Sequence, residues 1–92
     1  MGERSLTKKI DEISILLYQN KEKEALEEVA NILKVLQEQG ARVIAAYKDV
    51  SEEFVVGMLR DLLTGYQNKD MLAMADCLQQ KASLLAELSE NI

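Results

Sequence analysis

The sequence predicts an all-α protein, an up-down-up-down four-helix bundle built from two αα-hairpins. Three observations predict it. The 92-residue chain has no Pro and only four Gly, and it is rich in Ala, Leu, Glu, Lys and Gln, the strong helix formers. Its apolar residues recur at intervals of three and four, the period of a helix face. Its turn chemistry falls at few places, and short connections make successive helices antiparallel neighbours. A chain of this length makes one domain, spanning 1–92.

Leu6, Ile10, Ile13 and Leu17 form one face of a first helix over about 5–19. Leu26, Val29, Leu33 and Leu36 continue that spacing in a second helix over about 21–47. Gly40 lies inside it as a possible bend, because the apolar spacing runs through it to residue 47; the alternative is a stop at Gly40 followed by a short separate helix. Residues 48–51 read as a break, where Ser51 or Asp49 caps the next helix and Glu52 and Glu53 favour its positive end. The third helix, about 51–65, is apolar over a wide arc from Phe54 to Leu63. That width implies burial on two sides, or a strip kept for a partner. The fourth helix, about 69–90, holds Met71, Ala75, Leu78, Ala82, Leu85 and then Leu88 or Ile92 on one face.

The tetrapeptide Tyr-Gln-Asn-Lys occurs at 18–21 and again at 66–69, each time just before an acid. We read both copies as corners of the bundle. Asn20 and Asn68 are expected to cap the second and fourth helices with their side chains. Tyr18 and Tyr66 are expected to cover the bundle's end. The copies lie 48 residues apart, whereas the apolar positions of the following helices align best at 49.

Net charge is −5, and all of it falls in residues 49–92, since residues 1–48 carry eight basic and eight acidic groups. An acidic half argues against nucleic acid and anionic membrane as partners. No apolar run approaches the roughly 18 residues of a membrane span. The N-terminus lacks an apolar signal core, and Leu6 stands where a myristoylation pattern wants Ser or Thr. Cys77 is alone, so no disulfide forms within the chain, which fits a cytoplasmic location.

The chain has no His, which removes Ser-His-Asp and Cys-His nucleophiles and the Glu-x-x-His ligands of di-iron bundles. Adjacent carboxylates such as Glu27 and Glu28 diverge by about 100° on a helix and do not converge on one substrate. No enzyme activity, metal or cofactor is expected. Cys77 reads as a small buried hydrophobe. Asp76 reads either as an exposed acid or as a bond to a neighbouring helix.

Asn68-Lys69-Asp70 followed by Ala75-Asp76-x-Leu78 resembles a pattern in small uncharacterised helical proteins of Gram-positive bacteria. In those, an acidic aromatic segment follows, where this chain has Gln79, Gln80 and Lys81. The resemblance covers about 55–80 and implies a helical bundle without an assigned activity. In size and charge the chain is also similar to flagellar and secretion chaperones, which clasp an amphipathic helix of a client.

The expected function is therefore a non-enzymatic protein-binding module, adaptor-like or export-chaperone-like. Val56, Met58, Met71 and Met74 are the residues expected to meet a partner helix. The alternative is a self-associating structural homodimer, with the same apolar strip closed by a second copy.

Overall fold

The computed structural model describes residues 5–91; the N-terminal residues 1–4 and Ile92, the second candidate to end the fourth helix's apolar face, lie outside them. Four helices and no strand are present among the described residues, and their packing is that of a helical bundle.

Helix α1 spans Leu6–Tyr18, with Ser5 Oγ accepting from the Lys8 N–H at 3.1 Å. This side chain satisfies one of the four N–H groups that a helix start leaves unpaired. Its buried face is Ile10, Ile13, Ser14 and Leu17: of the predicted stripe Leu6 is only half-buried, and a serine is added. Helix α2 spans Glu22–Ala46 without interruption. It passes through Gly40 because α3 crosses there at close range: a Cβ on Gly40 would stand 2.5 Å from Val55 Cγ1.

Helix α3 spans Glu52–Asn68 and is capped by Ser51, whose Oγ accepts from the Phe54 N–H at 3.1 Å. It runs one turn past the expected end at 65. Gly65 is buried there against Met74, and Tyr66 packs on the core, so tertiary contact sustains the extra turn. Helix α4 covers 71–90 in three parts: α-helical Met71–Cys77, π-helical Leu78–Ala82 and α-helical Ser83–Glu90.

The π turn explains which α4 residues reach the core. Met74, Leu78, Ala82 and Ala86 are all fully buried, at intervals of four. On an α-helix of 3.6 residues per turn each such step over-rotates by about 40°. Three steps would carry the row about 120° around the helix. The wider hydrogen-bonded ring of a π turn absorbs part of that drift.

Both Tyr-Gln-Asn-Lys corners differ from the expected caps. Asn20 does not cap α2: it is left-handed, with φ 59°. Lys21 occupies the cap position and gives no side-chain bond. Asn68 does not cap α4 either, because it is still helical. The left-handed residue is Lys69, with φ 54°, and the cap is Asp70, whose Oδ1 accepts from the Ala73 N–H at 3.1 Å. The Lys21 N–H reaches Leu16 O at 3.1 Å and the Asp70 N–H reaches Gly65 O at 2.8 Å. These six-residue closures, with the shorter Asn20 to Leu17 and Lys69 to Tyr66 bonds inside them, are Schellman motifs. Every equivalent pair is 49 residues apart. The backbone thus follows the apolar register, and the repeated letters sit one residue out of phase with it. Tyr18 is 56% exposed and does not join the core, whereas Tyr66 packs against it.

The core runs the length of the bundle. Ile10, Ile13 and Leu17 of α1 join Val29, Ile32, Leu36 and Val43 of α2, Met58 and Leu62 of α3, and Met74, Leu78 and Leu85 of α4. α2 packs on the C-terminal part of α4, and α1 and α3 flank that pair. At one end, Lys69 Nζ lies 3.7 Å from Glu22 Oε2. At the other, Glu90 Oε2 accepts from Thr7 N–H at 3.0 Å and from Thr7 Oγ1 at 3.2 Å, and the Tyr47 hydroxyl donates to Leu88 O at 3.3 Å.

Candidate functional site

The four residues expected to meet a partner do not form one surface. Met58 and Met74 are fully buried. They occupy core positions: Val55, Met58, Leu62 and Gly65 make up the inner face of α3, and Met74 fills the notch at Gly65. Met71 is half-buried against the core. Only Val56 is open to solvent, at 43% of its surface. A methionine-rich binding face is therefore replaced by methionines that fill core gaps.

The surplus apolar arc of α3 lies elsewhere. Leu59 and Leu63 stand on the flank that faces α2. With Ala30, Leu33, Lys34 and Gln37 of α2 they line a groove of about 400 Å³. Further along the same seam Tyr66 meets Leu26, Ala30 and Asn31 in a second hollow. Leu63 is 44% exposed, while Leu59, Leu33, Leu26 and Tyr66 are half-buried. The seam is apolar along its floor, with Lys23, Glu27 and Lys34 on its α2 side. A signal for it existed in the sequence. Subtracting the core spacing of three and four from the wide arc leaves Phe54, Val56, Leu59 and Leu63, and of these Leu59 and Leu63 line the seam.

On the opposite flank of α3, a groove of about 440 Å³ runs between α3 and α4 past Arg60, Asp61, Asp76, Cys77 and Lys81. Lys81 Nζ meets Asp61 Oδ2 at 2.7 Å. That hydrogen bond and charge hold the Lys81 ammonium above its usual pKa. Cys77 is buried beneath, 3.5 Å from Met58 O. Burial first, and the Asp61 carboxylate second, push its thiol up to about 11, against the opposing pull of Lys81. A thiol that stays protonated at neutral pH is no nucleophile. Asp76 is exposed on this rim and makes no ion pair among the described residues.

One polar contact ties α1 to the π turn. Gln79 Nε2 donates to Ser14 Oγ at 2.9 Å, and the buried Ser14 donates in turn to Ile10 O at 2.9 Å. Its role is structural, since every buried side-chain polar atom among the described residues has a partner. No group of three acidic or thiol side chains able to hold a metal occurs among the described residues. Among the described residues no helix is long and apolar enough to cross a membrane.

Comparison of the chain with protein-family models, characterised proteins and solved structures finds no match.

Proposed function

We propose that this chain is a non-enzymatic protein-binding module, adaptor-like or export-chaperone-like, that receives an amphipathic helix of another protein in the seam between α2 and α3. The observation that carries this reading is the half-open apolar floor made by Leu33, Leu59 and Leu63. A groove between two helices takes a third helix through anchors spaced at three and four residues. The mixed charges on the α2 side suit a polar rim around an apolar centre. Catalysis finds little support in a protonated thiol and a chain without His.

A bundle with helices alternating up and down fits this reading. Glu22 with Lys69 at one end, and Thr7 with Glu90 at the other, support it. We propose a cytoplasmic setting and neither nucleic acid nor membrane as partner. These rest on the free cysteine and the acidic second half.

Affinity capture from the cells that express the protein tests this function. A partner retained by the native chain and lost from a folded Leu63→Asp variant supports the groove. Equal recovery with both chains contradicts it.

A further inference from the structure

We infer that the outer face of α3 is a self-complementary surface on which a second copy of this chain docks antiparallel. The first observation is Gly57. Glycine is the weakest helix former after proline, and inside a helix it needs a reason. The other two helical glycines have one. A Cβ would lie 2.5 Å from Val55 Cγ1 at Gly40 and 2.8 Å from Met74 Cγ at Gly65. At Gly57 a Cβ would meet nothing within 4 Å. No described residue outside its own stretch of helix comes within 4 Å of that Cβ position, so the notch it leaves is open.

The second observation is what surrounds the notch. Val56 stands next to it, 43% exposed, with Glu53 and Arg60 on either side. Glu52, Glu53, Val56, Gly57 and Arg60 line one shallow surface. Glu53 and Arg60 are two helical turns apart and share the face directly opposite the buried row Val55, Met58 and Leu62. Neither makes an ion pair among the described residues.

These positions are related by a two-fold axis passing between Val56 and Gly57. Lay a second α3 antiparallel across the first about that axis. Val56 of each copy then falls on Gly57 of the other, a side chain entering a notch. Glu53 of each copy falls opposite Arg60 of the other, each about 5 Å along the helix from the axis at 1.5 Å per residue. One contact of each kind implies its twin, as an isologous interface requires. The acidic and basic groups are distributed so that antiparallel pairing brings opposite charges together and parallel, in-register pairing brings like charges together. That sets orientation. The interface is a single helix pair, at the small end of specific interfaces, and it weakens with salt.

This surface is separate from the α2–α3 seam, and the two readings fail separately. A monomer that still captures a partner through Leu63 overturns the dimer alone. A dimer with no such partner overturns the seam alone.

Sedimentation equilibrium of the full chain at low salt tests the dimer. The native protein is expected to dimerise. Arg60→Glu alone weakens it by at least about ten-fold, because each site then sets two carboxylates face to face. Glu53→Arg combined with Arg60→Glu restores it to near the native constant. Gly57→Leu, whose Cβ meets nothing within 4 Å in the monomer, abolishes dimerisation and keeps the helical circular dichroism of the native chain. A native chain that stays monomeric up to millimolar concentration overturns the inference. So does a folded double variant that remains as weak as the single one.

Discussion

Met74 lays its Cγ where a side chain on Gly65 would begin: a Cβ built there stands 2.8 Å from that carbon. The last turn of α3 and the first turn of α4 therefore close on each other through an absent side chain, and both residues are buried. The three helical glycines rank by this criterion. Gly40→Ala drives a methyl into stiff, β-branched Val55 at 2.5 Å and is expected to cost about 2–3 kcal/mol. Gly65→Ala meets a flexible methionine and is expected to cost about 1–2 kcal/mol. Gly57→Ala meets nothing and is expected to stabilise the monomer by about 1 kcal/mol. Urea denaturation of the three variants, at concentrations where the chain is monomeric, checks the order and the change of sign.

The second corner makes a prediction about caps. Asp70→Ala removes the acceptor of the Ala73 N–H and is expected to cost about 1 kcal/mol. Asn68→Ala, inside the last turn of α3, changes stability by less than about 0.5 kcal/mol. Lys69→Gly relieves a left-handed non-glycine residue and is expected to stabilise by up to about 1 kcal/mol. The Lys69–Glu22 pair that it removes is exposed on both sides and contributes little. Chemical denaturation distinguishes the three.

Cys77 gives the protein an alkaline limit. Its thiol is raised from 9.0 to about 11 in the fold. The unfolded chain therefore loses this proton first as pH rises. The thiol's contribution is fully present below pH 9.0 and is lost as pH climbs to about 11. The raised Lys81 ammonium acts in the same direction from its ordinary value of 10.5 upward. Stability is expected to fall by about 1 kcal/mol per pH unit inside the cysteine window. Cys77→Ala flattens that arm. At pH 8 the native thiol reacts with a disulfide reagent far more slowly than the unfolded one, and a rapid native reaction would contradict its burial.

Two substitutions on α3 separate core from surface. Met58→Asp places a carboxylate among residues with no exposure and is expected to unfold the bundle. Leu63→Asp, at a site already 44% exposed, is expected to keep the helical circular dichroism and most of the melting temperature. Loss of fold in the second variant would mean that Leu63 belongs to the core.

Helix positions were legible in the sequence because amphipathic spacing is a direct imprint of burial: Ile10, Ile13 and Leu17, or Val29 and Leu36, are core residues as their intervals predict. The expected caps miss by one residue at the first corner, Lys21 for Asn20, and by two at the second, Asp70 for Asn68, because the repeated letters do not follow the register. Asn68 and Asp70 are both good caps, and only the packing of Gly65 and Tyr66 decides that the helix continues past 65. The π turn leaves no mark in composition, and its one trace is the interval of four through Met74, Leu78, Ala82 and Ala86. Residue type alone points to the methionines as the binding surface. Burial depends on angle around the helix, and angle assigns Met58 inward and Leu59 and Leu63 to the α2 flank.

The seam between α2 and α3 is tested most directly by a photoreactive phenylalanine analogue placed at position 63 in living cells, with the same analogue at exposed Lys48 as the reference. A groove that receives a partner helix predicts an adduct of one defined mass at position 63 that is missing at position 48. Adducts that are equal at the two positions, or none at position 63, would contradict a binding seam built from Leu33, Leu59 and Leu63.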